Sequence, residues 1–526
     1  MSNRSEDILF HLIRSLKKEE KRHFKLYINR SSANQNLKVV QLFDALDKLK
    51  EYDEKLLLKK LPEVNKSQLF NLKAHLYKQV LSSLRLLKSP ESIDLQLHEQ
   101  FDFAHILYKK GLFLQSLRIL ARAKEIAKTN QKTTFLIQLI GLEKRIESLH
   151  ITRSLQDRAE GLSQEALDVI GHVYMITRLS NLALELYSWY IKNGHARNEE
   201  DEVDIKIFFK TNLPDDAATQ NGFYEKMYLY QSYTWYAFIR QDFLMYYRYT
   251  QKWVDLFYDQ VFMQRVETGH FIKGLHNLLN AHFDLRNYLL FEKTLSEFEA
   301  FAETDRVKGN ENFRIQSFLY IVQAKINHHF MKGSFKEGLL LISKIEEELH
   351  TYDLFIDRHR LMVLNYKIAT LYFGSTEYGK SIDYLQKILN TSTDLRYDLQ
   401  CYARVLHLLC HFELGNYELM EHLTKSVYRF MSKMQNFTIV EEEMFKFLRR
   451  SFYIDRKDIK AELKILFIKI EALEKNRFET RAFAYLDIIS WLKSKVYDKP
   501  MNDIIGERYT ARRKQMLLKK SRLHPL

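Results

Sequence analysis

The sequence predicts an all-α protein, an α-solenoid of antiparallel helix hairpins, and three observations carry that expectation. Apolar residues recur at helical spacing along nearly the whole chain, as in "SLRILARAKEIAK" and "GLLLISKIEEEL", with charges on the opposite face. Only 15 Gly and 5 Pro interrupt 526 residues, so the connections must be short. A turn followed two positions later by a large side chain, and then by a helix, returns at intervals of 39 to 47 residues.

Taken in order, residues 1–88 read as a basic helical module. "KSPES" then marks a joint, with Ser89 expected as N-cap and Pro90 at the first helical position. Residues 89–498 form the main body. "TNLPDDAATQNG" (211–222) is its clearest loop, and "YDKPMND" (497–503) introduces a basic tail, 499–526.

The repeated turn is anchored at Gly111, Gln241, Arg286, Gly333, Thr376, Gly415 and Lys457. From Gln241 onward the spacings are 45, 47, 43, 39 and 42, and the interval of 130 from Gly111 to Gln241 fits three units of about 43. Two residues past each anchor stand Phe113, Phe243, Tyr288, Phe335, Tyr378, Tyr417 and Ile459. Nine past it stand Leu120, Thr250, Leu295, Ile342, Leu385, Thr424 and Leu466. Twelve past it stand Ala123, Trp253, Phe298, Ile345, Ile388, Val427 and Lys469. Such offsets put three side chains on one stripe of the second helix, facing its partner. A unit this short cannot bury its own apolar face, so neighbours must stack.

"KGLFLQSLRILARA" and "LGNYELMEHLTKSV" resemble the second helix of the tetratricopeptide repeat, which follows a G-x-[Y/F] turn. The resemblance covers roughly residues 95–475, with a period longer than the 34 residues of that family. It implies a helical superhelix presenting surfaces to partners.

Composition narrows the function classes. Two cysteines, Cys401 and Cys410, exclude a disulfide framework and suit a reducing compartment. Neither a secretory signal nor an apolar run of about 18 residues is evident, so a cytoplasmic protein without membrane contact is expected. Net charge is +14: residues 1–90 carry +9, residues 499–526 carry +6, and the rest sums to −1. Basic ends on a neutral body suit an acidic surface such as nucleic acid or the ribosome. The N-terminal candidates are Lys17, Lys18, Lys21, Arg22 and Lys25. The C-terminal ones are Arg512, Arg513, Lys514, Lys519, Lys520 and Arg522.

Three further constellations invite chemical readings. "YFGSTEYGKSIDYL" contains G-x-x-x-x-G-K-S from Gly374 to Ser381, the pattern of a phosphate-binding loop. Such a loop needs a preceding buried strand, whereas "RLMVLNYKIATLYF" has helical spacing, so the match reads as a repeat turn and Lys380 as no ATPase residue. His407, Cys410 and His411 share a helix face as zinc ligands could. His411, however, falls four residues before its anchor with Leu107, Ala237, His282, His329, Tyr372 and Tyr453, a column expected to face the interior. Residues 223–258 hold 15 aromatics, of which Tyr230, Tyr233, Tyr247 and Tyr249 are candidates for gripping a peptide or stacking on a base. No nucleophile elbow, H-E-x-x-H or G-x-G-x-x-G appears, so neither catalysis nor a cofactor is expected. The leading expectation is a protein-binding scaffold or adaptor; the alternative is a nucleic-acid- or ribosome-associated factor anchored by its basic ends.

Overall fold

Turn chemistry organises the chain. In the computed structural model, which describes residues 7–29, 34–150, 156–351, 356–390, 396–433, 438–455 and 457–523, six of the seven anchors have positive φ. Gly111, Gln241, Arg286, Gly333, Thr376 and Gly415 lie between +55° and +75°. Gly333 is the C-cap of its helix and the other five sit one residue past the cap, and each turns the chain out of the helix. The following N–H then reaches back five residues to a carbonyl of the last helical turn: Leu112 to Leu107, Asp242 to Ala237, Asn287 to His282, Ser334 to His329, Glu377 to Tyr372 and Asn416 to His411, all at 2.8–3.1 Å. These bonds satisfy carbonyls that a helix end otherwise leaves orphaned.

The next residue starts the second helix every time. Helices begin at Phe113, Phe243, Tyr288, Phe335, Tyr378, Tyr417 and Ile459, the seven positions expected from the sequence. Every side chain nine residues past an anchor is buried, and so is every one at twelve except Lys469, which is exposed and ion-paired with Glu443 at 2.8 Å. The described residues are helical throughout, with short turns and 3₁₀ segments and no strand.

The chain divides into two compact units, 1–171 and 172–526, the division falling inside the helix Gln156–Asn193. In the first, five helices from Ile8–Ser15 to Lys66–Lys88 share one core around Ile13, Phe24, Phe43, Leu46 and Leu76. The joint near Pro90 differs from expectation. Ser89–Glu91 is a 3₁₀ turn, and Ser92 rather than Ser89 caps the next α-helix, its Oγ accepting from Leu95 N at 3.4 Å. Ile93–Lys109, Phe113–Thr129 and Thr133–His150 then pack in series. The interval from Gly111 to Gln241 is not three equal hairpins: a second left-handed turn follows at Gln131, and Gln156–Asn193 runs for 38 residues.

In the second unit, Phe223–Ile239 pairs with Phe243–Asp259, Thr268–Asp284 with Tyr288–Ala302, and Arg358–Gly374 with Tyr378–Leu389. Each second helix also packs on the first helix of the next pair, and Thr268–Asp284, Glu311–Lys332 and Arg358–Gly374 lie against one another in turn. One expected column fails at its end, because Tyr453 is 82% exposed rather than interior.

The basic C-terminal segment is helical from Met501 to Leu523 and returns to Tyr288–Ala302 and Glu311–Lys332. Tyr509 donates to Glu292 Oε1 at 2.7 Å and meets the buried Tyr288 ring edge-on at 4.7 Å; Arg513 reaches Glu292 Oε2 at 3.3 Å. Contact is close at Gly333, where a Cβ would lie 2.5 Å from Asn502 O. Gly333→Ala should therefore destabilise the protein by about 3 kcal/mol, strain and overlap together, while Gly415→Ala, in the same conformation with only an ordinary contact at 3.7 Å, should cost about 1 kcal/mol. Urea unfolding of the two variants checks the difference.

Candidate functional site

Three residues before each anchor, on the last turn of the first helix, the chain places Tyr108, Phe238, Phe283, Phe330, Phe373 and Phe412. Four of these, Phe238, Phe283, Phe330 and Phe373, come from successive helices of the second unit and line one cavity of about 240 Å³. Phe483, Tyr485, Leu486, Met501 and Ile505 of the C-terminal segment line it as well. An aromatic floor built by the repeat is thus faced by the end of the same chain.

Charged groups at the cavity fall into two sets. The first is paired and holds the C-terminal segment in place. Arg396 donates to Asp398 at 2.8 and 3.0 Å and to the Tyr485 hydroxyl at 2.8 Å, and the Tyr485 ring stacks on Tyr402 at 4.1 Å. Tyr366 donates to Tyr485 O at 3.2 Å. Asp487 accepts from Arg508 at 2.6 Å and from Ser490 N at 3.0 Å, and with Arg508 and Arg286 close by its carboxyl stays below the usual range despite burial. Buried charges are tolerated when paired in this way.

The second set has no opposite charge within ion-pair distance among the described residues: Asp284, Arg286 and Lys367. Lys367 Nζ donates to Asn327 Oδ1 at 2.5 Å, and Arg286 lies over the Phe283 ring at 4.8 Å. Asp284 is half-buried and lines the cavity. Burial accordingly pushes Asp284 up to about 7, against the pull of Arg286 and Lys367, and drops Lys367 to about 8.

Beside the cavity a strip of aromatic and basic side chains crosses three first helices. Lys273 Nζ lies 5.8 Å from the Trp235 ring centre and 5.2 Å from that of Tyr320, and His276 stacks on Tyr320 at 3.8 Å. Burial first, and then Lys273, Lys367 and Arg360, hold His276 neutral. Lys273 has no acidic partner within 4 Å among the described residues. A cation between two rings with no counter-ion is suited to an incoming carboxylate.

The sequence-derived candidates are distributed otherwise. Tyr233 stacks on Tyr249 at 4.1 Å with Tyr230 alongside, and Lys252 lies over Tyr249 and Tyr230 at 5.1 and 5.8 Å. Tyr230 and Tyr233 also pack around Leu179 and Leu229, while Tyr247 lies apart against His282 at 5.3 Å. At the N-terminus Lys21 and Lys25 are paired with Asp47 and Asp44 at 2.5 and 2.8 Å; Lys17, Lys18 and Arg22 are exposed. Arg512 and Lys514 are exposed, Arg513 is tied to Glu292, and the side chains of Lys519, Lys520 and Arg522 lie outside the described residues.

The phosphate-loop pattern resolves into packing. An α-helix, Arg358–Gly374, precedes it; Lys380 pairs with Glu377 at 2.8 Å, and a Cβ on Gly374 would lie 2.4 Å from the Phe335 ring. Cys410 donates to Ser381 Oγ at 3.4 Å on the preceding helix Tyr378–Leu389, and His411 Nδ1 meets Asn416 Nδ2 at 3.0 Å within its own turn. Among the described residues no three His, Cys, Asp or Glu groups converge as a metal ion requires. No helix among them is long and apolar enough to cross a membrane.

Aromatics at the −3 position were the overlooked signal, since they recur at every anchor from Gly111 to Gly415. Asp284→Asn tests the electrostatics of the cavity. A carboxyl whose folded value is raised to about 7 contributes least once it must ionise, so stability falls as pH rises from about 4 through 7. The variant should gain about 1–3 kcal/mol at pH 8, a smaller amount at pH 5 and little at pH 3.5, read by urea unfolding at the three values.

No protein-family model matches this chain, and no curated protein is significantly similar to it.

Proposed function

We propose that this chain is a non-catalytic interaction scaffold, a tetratricopeptide-like solenoid that holds an acidic segment of another protein against its first helices. The single observation that carries the reading is Lys273 between the rings of Trp235 and Tyr320, contributed by three consecutive repeats and lacking an acidic neighbour within 4 Å. Repeat arrays bind along such a face because successive units present equivalent positions at regular intervals. Aromatic planes supply contact area at low entropic cost, and the cation selects for carboxylates.

Protein is the favoured partner over nucleic acid, because part of the basic charge at both ends is spent inside the fold. Lys21, Lys25, Arg508 and Arg513 each face a carboxylate. The reading takes the protein to be cytoplasmic, with Cys401 and Cys410 kept as buried thiols.

Affinity capture from nuclease-treated lysate, followed by titration of the captured protein, tests the proposal. The Trp235→Ala, Lys273→Glu double variant should weaken binding at least about tenfold, while 0.3 M salt should weaken it by only about threefold. Loss of all bound material after nuclease treatment, or unchanged affinity in the double variant, would contradict it.

A further inference from the structure

The cavity of about 240 Å³ behind the aromatic floor has the features of a small-molecule site, independently of any protein partner. Other buried charges around it are neutralised by protein: Arg396 by Asp398, and Asp487 by Arg508. Arg286, Lys367 and Asp284 are not. Half-buried charges lining a cavity, with no opposite charge within ion-pair distance, leave hydrogen-bonding capacity that water or a ligand completes.

The cavity also has a route in. A second cleft, of about 250 Å³, shares Phe283, Asp284, Arg286, Phe483 and Asp487 with it and is lined by Arg508 and Arg512. Arg512, exposed at that opening, would draw an anion towards it.

Size and charge together name the class. The cavity has room for several waters or for a small organic molecule. Two cations and one carboxyl are complemented by two carboxylates and one ammonium group. We infer that the cavity binds a small acidic α-amino acid, its carboxylates held by Arg286 and Lys367 and its ammonium group by Asp284. The neighbouring phenylalanines would pack on the carbon chain and exclude water, which strengthens both contacts.

Isothermal titration of the full chain at pH 7 tests this with three probes: L-glutamate, glutarate and inorganic phosphate. L-Glutamate should bind saturably below about 1 mM, and glutarate, which lacks the ammonium group, at least about tenfold more weakly. Phosphate should give no saturable heat. Lys367→Met should weaken L-glutamate at least about tenfold. Asp284→Asn, which removes a buried carboxyl and so should fold readily, should reduce L-glutamate to the affinity of glutarate and leave glutarate unchanged. No saturable L-glutamate binding up to about 10 mM in the wild-type chain overturns the inference. So does glutarate or phosphate binding as tightly as L-glutamate, or L-glutamate binding that Asp284→Asn leaves intact.

Discussion

The whole second unit depends on one backbone device, a residue held at positive φ whose following N–H reaches back five residues. Fixing that residue fixes the register of everything around it. The second helix starts two positions later, its inward stripe follows at nine and twelve, and the last aromatic of the first helix falls three positions before. Glycine adopts the conformation freely at Gly111, Gly333 and Gly415; elsewhere a side chain there costs about 1–2 kcal/mol. Two of those side chains have work to do. Gln241 donates to Ala196 O at 3.1 Å, and Arg286 projects into the polar cavity. Nothing in the structure explains Thr376 in the same conformation.

Because the turns repeat, phenylalanines accumulate along one line of first helices, and a line of half-buried rings must be covered. The end of the chain does part of this. Thr480–Tyr485, Ile488–Val496 and Met501–Leu523 follow the last hairpin and return towards helices some two hundred residues earlier, tied down by Arg396, Asp487 and Glu292. Coverage by a short segment leaves a gap, and the gap is where Asp284, Arg286 and Lys367 meet. On the same first helices, half-buried Trp235 and Lys273 with the buried Tyr320 form the face proposed to meet a partner.

Much of this was legible in the residues. The helical class, six of the seven turn anchors and the first residue of each second helix follow from local pattern, because a left-handed turn and a 3.6-residue period act over a few positions. The false phosphate loop was legible too, since "RLMVLNYKIATLYF" has no strand pattern. What escaped is non-local. Nothing in "ERYTARRKQMLLKK" says that Tyr509 and Arg513 meet Glu292 more than two hundred residues earlier, and charge alone made that segment a tail. The tyrosines of 223–258 were picked for density, whereas the side chains of the proposed face, Trp235, Lys273 and Tyr320, are single residues on three separate helices. Ser89 was read as the N-cap because proline so often opens a helix, and here it opens a 3₁₀ turn instead.

The central claim is that the C-terminal segment lies folded onto the first helices and closes the cavity. Hydrogen exchange of the full chain, followed by mass spectrometry, tests it most directly. Amides of residues 501–513 should exchange as slowly as those of Glu311–Lys332, on which they pack. Exchange of 501–513 at the rate of an unfolded peptide, with Glu311–Lys332 still protected, would contradict the account.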